Sequence, residues 1–255
     1  MLFLTQENIK LPLIPVILPW KNHRGERLSF FQIYFSRFFT YTFLIIIWFI
    51  WYFLGEMSST NCITANEKIG CSAAIWHTDF NNPIKYFFSF FTAPFFYNSS
   101  QHIRFTTISF LIFVQSFEAR VGTKKIILVF LATIISVDLI GGIVSNLGYF
   151  LFPNLEIFSY MLGRSWMGAS SGFMGIIGSM SHFSKYKPLL PGIVILFESW
   201  NFFINGISLS ISITHVISCF VGFFIWTIIN RRNFISLLME PPSVDNFKEH
   251  APSQE

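Results

Sequence analysis

A serine framed by glycines is the first feature of this sequence that could do chemistry. Ser170 lies in the run Gly168-Ala-Ser-Ser-Gly172, so the backbone on both sides of its hydroxyl is open to close approach. The surrounding residues are apolar and include further small side chains, which are typical of faces where membrane helices pack tightly. The run therefore predicts either a packing face or an accessible nucleophile.

A histidine lies inside the last apolar stretch. His215, Ser218 and Gly222 follow the spacing i, i+3 and i+7, which places them on one face of a helix. Ionisable side chains inside a membrane are costly and usually indicate function, although a histidine can also link helices through a hydrogen bond. An imidazole and a hydroxyl at the same depth form the pair needed for a base-activated nucleophile.

A second histidine opens an earlier apolar stretch. His102 and Thr106 are spaced i and i+4, and so share one helix face. Ordinary polar residues at a membrane interface would give the same pattern. The coincidence of depth with Ser170 and His215 favours a shared site.

The composition indicates what must position these residues. Hydrophobic residues make up 53% of the 255 residues and charged residues only 12%, and the chain contains 34 Phe. A soluble domain is excluded by this balance, which is typical of an all-α polytopic membrane protein. Three cysteines are too few for a disulfide framework, although Cys62 and Cys71 could pair if their loop faces an oxidising space.

Apolar stretches of suitable length predict six transmembrane helices. Residues 1–37 are expected to lie along the cytoplasmic membrane surface, and residues 231–255 form a polar cytoplasmic tail. The membrane domain between them covers residues 38–230. Its predicted spans are 38–54, 102–118, 126–147, 168–184, 189–207 and 211–230.

Basic residues give the orientation. All but four of the 17 Lys and Arg residues fall in the N-terminal segment, the loops after spans two and four, and the tail. Cytoplasmic loops carry an excess of Lys and Arg, so both termini are predicted to be cytoplasmic. Ser170 would then lie near the outer face.

Together these residues resemble the rhomboid family of intramembrane serine proteases. The family's fourth-span G-x-S motif matches Gly168 and Ser170, with Gly172 and Gly175 following. Its sixth-span histidine with small residues three and seven positions later matches His215, Ser218 and Gly222.

Two further motifs of that family have counterparts in span two. The motif H-x-x-x-N matches His102, with Thr106 where Asn is usual. The motif E-x-R-x-G matches Glu118, Arg120 and Gly122 at the predicted cytoplasmic end. The resemblance covers about residues 38 to 230 and implies a six-helix rhomboid-like bundle.

The resemblance also implies a mechanism. Ser170 would be the nucleophile and His215 the general base of a Ser/His dyad. The Ser170 backbone N–H, His102 and Thr106 would hold the oxyanion. The partners implied are the lipid bilayer and single-span membrane proteins cleaved near the outer face, with no cofactor, metal or nucleic acid.

Other interpretations compete with this one. An inactive rhomboid-like protein that binds membrane clients is the strongest rival, although such relatives typically lose the serine or the histidine. The run around Ser170 also fits the G-x-S-x-G elbow of α/β-hydrolases, but both flanks here are membrane segments. Asp138 and Glu198 raise a diaspartyl protease or a transporter, yet hydrogen-bonded or neutral carboxyls inside the bundle explain them better.

Overall fold

The computed structural model describes residues 11–22, 24–57 and 63–239, the last eight of these for the backbone alone. These residues form a helical bundle with one two-stranded sheet. The helices are α1 (Phe30–Ser36), α2 (Phe38–Leu54), α3 (Ala65–Ala73), α4 (Pro83–Thr92), α5 (Ser100–Ser109), α6 (Gln115–Val121), α7 (Thr123–Leu151), α8 (Glu156–Leu162), α9 (Ser170–Met180), α10 (Leu189–Phe203) and α11 (Leu209–Met239). The strands are β1 (Ile75–Trp76) and β2 (Ser165–Trp166).

Each predicted span coincides with helical structure. The first has the predicted bounds, and the second is divided by a π-helical turn at Phe110–Val114 that joins α5 to α6. Two helices, Thr123–Leu151 and Leu209–Arg231, are long and apolar enough by themselves to cross a membrane within the described residues. A third candidate arises if α1 and α2, bent by 87°, count as one span. The fold is a helical polytopic membrane bundle, and the number of six spans stays a prediction.

Small residues bring α9 and α11 into direct backbone contact. A Cβ atom at Gly222 would overlap the carbonyl group of Gly175, and one at Gly178 would overlap the carbonyl group of Cys219. The Ser179 hydroxyl also donates to the Gly222 carbonyl at 2.8 Å. Close backbone approach of this kind fixes the relative depth of two helices, because larger side chains would hold them apart.

The E-x-R-x-G residues join the ends of three helices. Both carboxylate oxygens of Glu118 accept hydrogen bonds from the start of α2, from the Phe39 and Thr40 amides at 2.8 and 2.9 Å. A carboxylate there satisfies free N–H groups and complements the helix dipole. Gly122 adopts φ +82° between α6 and α7, a backbone conformation that favours glycine. The Arg120 guanidinium lies 5.8 Å from the centre of the Phe183 ring.

Part of the N-terminal segment, at residues 13–17, hydrogen-bonds to the bundle, and the position of the segment along the cytoplasmic membrane surface stays a prediction. The Ile17 amide donates to the Ser116 hydroxyl at 2.9 Å, and the Ile17 carbonyl accepts from the Gln115 amide. The Ser184 hydroxyl, just beyond α9, donates to the Leu13 carbonyl at 2.6 Å. Backbone groups in Pro-interrupted chain need such partners when they are buried. The segment therefore ties α6 to the end of α9.

The loop between α2 and α4 is anchored to the loop before α9. Strands β1 and β2 pair antiparallel, with Ile75 opposite Trp166. Cys71 in this loop is disulfide-bonded, whereas Cys62 lies outside the described residues. Cys219 in α11 is a buried free thiol.

His77 follows β1 and connects this loop to α7. Its ring stacks on Trp166 with centroids 5.4 Å apart, and its Nδ1 lies 3.1 Å from the Ser145 hydroxyl. The side chain is only 2% exposed, and its Nε2 has no hydrogen-bond partner. Burial lowers the pKa of His77 from 6.5 to about 4.

Acid is therefore expected to loosen this loop. The unfolded chain takes up a proton at His77 near pH 6.5 and the folded protein only near pH 4, so stability falls as the pH drops between these values. A shift of this size corresponds to about 3 kcal/mol. Apparent melting temperatures in detergent at pH 7.5 and 4.5 test this, with His77→Gln as the variant. The drop should be smaller in His77→Gln, and an equal drop in both proteins would contradict the prediction.

Candidate active site

Ser170 occupies the first position of α9. The turn before it depends on Gly168, which has φ +97° and whose N–H donates to the Ala93 carbonyl at 3.0 Å. The first intrahelical bond of this end runs from Phe173 to Ala169, so the Ser170 amide has no intrahelical acceptor. Ser170 is 9% exposed, and its backbone N–H lies at the positive end of a helix.

His215 is held from α10. Its Nδ1 lies 2.8 Å from Oε1 of Glu198, and the two side chains are 13% and 2% exposed. The second carboxylate oxygen, Oε2, is buried without a hydrogen-bond partner. The nitrogen left for other chemistry is therefore Nε2 of His215.

His102 lies in the first turn of α5, directly against the turn that precedes Ser170. A Cβ atom on Gly168 would overlap the His102 ring at Cε1 and lie 2.7 Å from Nε2. Nδ1 of His102 is 3.0 Å from the side-chain oxygen of Asn98, and the Tyr97 ring meets the imidazole edge to face at 5.0 Å. Gly168 is thus required both by its backbone conformation and by the position of this ring.

A cavity of about 560 Å³ joins these groups. Ser170, His102 and His215 all line it. Ser170 and His215 do not hydrogen-bond directly to each other within the described part of the chain. Bonds of this type are often long in ligand-free enzymes and shorten when substrate binds.

Thr106 does not line this cavity. It is fully buried one turn further along α5, beside the Tyr97 hydroxyl, and its own hydroxyl makes no hydrogen bond of normal geometry. Ser218 is also fully buried, and its hydroxyl donates to the Thr214 carbonyl within α11. Gly172 of α9 packs against the Phe130 ring, which a Cβ atom at this position would overlap.

Further residues reach the cavity that the sequence did not assign to the site. Glu198 and Asn98 contact the two histidines, and Ser171, Arg164 and Asn201 line the wall. Glu198 carried a signal in the sequence as a carboxyl group inside an apolar stretch, and so did Asp138, which also lines the cavity. No group of three or more His, Cys, Asp or Glu in residues 11–22, 24–57 and 63–239 could hold a metal ion.

Comparison with known families assigns the fold. Residues 85–233 match the family model described as Rhomboid domain, which is more than half of the chain. The chain belongs to the rhomboid family. It is therefore an integral membrane protein and either a rhomboid intramembrane protease or an inactive relative of one. No curated protein and no solved structure matches it.

The match to the rhomboid model contains all the residues of the candidate site. It begins at Lys85 in α4, before His102, and ends in α11, after His215. Membrane proteins and the lipid environment are the partners that membership of this family implies. Residues before position 85, including α2 and the disulfide-bonded Cys71, lie outside the match.

Proposed function

We propose that this rhomboid protein is an intramembrane serine endopeptidase with Ser170 as nucleophile and His215 as general base. The observation that carries the proposal is that both side chains line one cavity, with Nδ1 of His215 engaged elsewhere. Nε2 is then the nitrogen that can take the proton from the Ser170 hydroxyl. A positioned base of this kind activates a serine that is otherwise a weak nucleophile.

The reaction proceeds in two stages. Ser170 Oγ attacks the scissile carbonyl while its proton moves to His215 Nε2, which returns it to the leaving amine. Water then enters the cavity, loses a proton to the same nitrogen and releases the acyl group from Ser170. The oxygen of the water becomes part of the new carboxyl group, the bond between Ser170 Oγ and the acyl carbon breaks, and His215 Nε2 returns its proton to Ser170 Oγ.

The oxyanion is held at the junction of α9 and α5. The Ser170 N–H supports this role because it is a free donor at a helix start. The side-chain oxygen of Asn98 faces Nδ1 of His102 at 3.0 Å, so the proposed role of His102 requires the Asn98 amide to be turned by 180°; its nitrogen then donates to Nδ1 and the ring proton lies on Nε2, next to Gly168. Preorganised donors of this type stabilise the charge that develops in the transition state. On this proposal Thr106 does not contact the oxyanion, because its hydroxyl is buried beside Tyr97 and does not line the cavity.

The substrate is a single-span membrane protein cut near the outer membrane face. A protease needs extended backbone at the scissile bond, so its helix must unwind as it enters the cavity. The positions of Lys and Arg support an outer location, with both termini cytoplasmic. The Ser171, Arg164 and Asn201 side chains would meet the substrate on the cavity wall.

A reconstituted cleavage assay tests the function. Wild type and Ser170→Ala are placed in liposomes with a generic single-span substrate, and product is measured over time. The wild type is expected to cleave and Ser170→Ala is not. Absence of cleavage by folded wild type on several substrates would favour the inactive relative that binds membrane clients.

A further inference from the structure

Glu198 is the buried charge nearest to the proposed base. It projects from α10, is 2% exposed, and contacts Nδ1 of His215 through Oε1 at 2.8 Å. The salt bridge of the described residues that does not involve a histidine joins Lys85 to Asp79, outside the cavity. Burying a carboxylate inside a membrane bundle costs desolvation free energy unless the group is paired. Buried ionisable residues of this kind are found mostly at functional sites.

The short connection between α10 and α11 explains why Glu198 and His215 are in contact. Glu198 lies about one and a half turns before the end of α10, and His215 lies about as far after the start of α11. The loop of residues 204–208 reverses the chain between them. Two helices in such a hairpin bring these positions to the same depth, so the contact follows from the topology and not from a mobile side chain.

The geometry points to Glu198 as a positioning residue that completes a Ser170–His215–Glu198 triad, in place of a dyad. This inference rests on the proposed function. A carboxylate that accepts from Nδ1–H holds the neutral imidazole in the tautomer with a free Nε2, and stabilises the imidazolium that forms after proton transfer. The other oxygen, Oε2, has no hydrogen-bond partner, so the contact of Oε1 with His215 is the side-chain hydrogen bond that this carboxyl group makes among the described residues.

The charges around His215 support this assignment. Glu198 is the group in hydrogen-bond contact with it, from α10. His102 on α5, Asp138 on α7 and Arg164 before β2 line the same cavity without a hydrogen bond to His215. Only Glu198 is therefore placed to select the tautomer.

Two substitutions at one position separate this role from a structural one. Glu198→Gln keeps the size of the side chain but removes the charge, and its amide can donate to Nδ1 and fix the wrong tautomer. Glu198→Asp shortens the side chain but keeps a carboxylate. A positioning role predicts that Glu198→Gln lowers kcat by about 10²-fold to 10⁴-fold with KM changed less than about threefold, and that Glu198→Asp retains clearly more activity.

The measurement is kcat and KM for cleavage in liposomes, normalised to folded protein. Glu118→Gln is the matched control, because it removes a buried carboxylate that caps α2 far from the cavity. That variant should lose thermal stability but keep kcat within about twofold of wild type. Ser170→Ala sets the background.

The results of these assays distinguish a failure of the triad from a failure of the proposed protease function. A wild type that cleaves, together with Glu198→Gln as active as Glu198→Asp or more so, overturns the triad and leaves the Ser170 and His215 pair intact. A loss in Glu198→Gln that appears only in KM also overturns it. Inactive wild type overturns the proposed function and the triad with it.

Discussion

His215→Ala is expected to lower the cleavage rate by about 10²-fold to 10⁴-fold, the range that a positioned general base contributes. The imidazole lines the same cavity as Ser170 and, within the described residues, hydrogen-bonds to a buried carboxyl group that holds it. Without it, the serine loses the proposed acceptor of its proton.

His182→Ala is the matched control for this variant. His182 is also a histidine near the end of a predicted span, but its ring stacks on Phe223 and its Nε2 lies 3.2 Å from the Phe223 carbonyl. It does not line the cavity. Its loss should affect stability and leave the rate per folded protein unchanged. A His215→Ala variant as active as His182→Ala would rule out His215 as the base.

His102→Ala is expected to lower kcat by about 10²-fold to 10³-fold, the cost of removing one oxyanion donor. Its ring lies against Gly168, two residues before Ser170, the proposed nucleophile. Thr106→Val should change kcat less than about threefold, because the Thr106 hydroxyl is buried outside the cavity and has no partner to lose. Single-turnover cleavage of one substrate by both variants and wild type measures the difference. If Thr106→Val proves as harmful as His102→Ala, Thr106 is itself a donor to the oxyanion.

Much of the bundle could be predicted from hydropathy. The apolar run at 38–54 has the bounds of α2, and the small residues around Ser170 predicted a face for tight helix packing, which α9 uses against α11. These features depend on local sequence. The packing of residues 11–22 was missed, because hydrogen bonds such as Ile17 to Ser116 join positions 99 apart and have no local pattern.

The candidate site shows the same division. Ser170, His102 and His215 were proposed from spacing and depth, and they line one cavity. The contact of Glu198 with His215 could have been inferred from their matched distances to the loop between the two helices, but the sequence alone left Glu198 as a buried carboxyl group. Residue spacing alone did not predict the position of Thr106 correctly. His102 and Thr106, at i and i+4, share one helix face, yet of these two residues His102 lines the cavity and Thr106 does not.

The most direct test of the account is to identify the nucleophile with a fluorophosphonate-type probe. Neighbouring helix residues point about 100° apart, so Ser170 and Ser171 cannot present their hydroxyls to His215 in the same way. Wild type, Ser170→Ala and Ser171→Ala are incubated with the probe in the same liposomes, and the modified residue is located by mass spectrometry. We expect the probe to label wild type and Ser171→Ala at Ser170, and not to label Ser170→Ala. Labelling that persists in Ser170→Ala and disappears in Ser171→Ala would contradict this expectation.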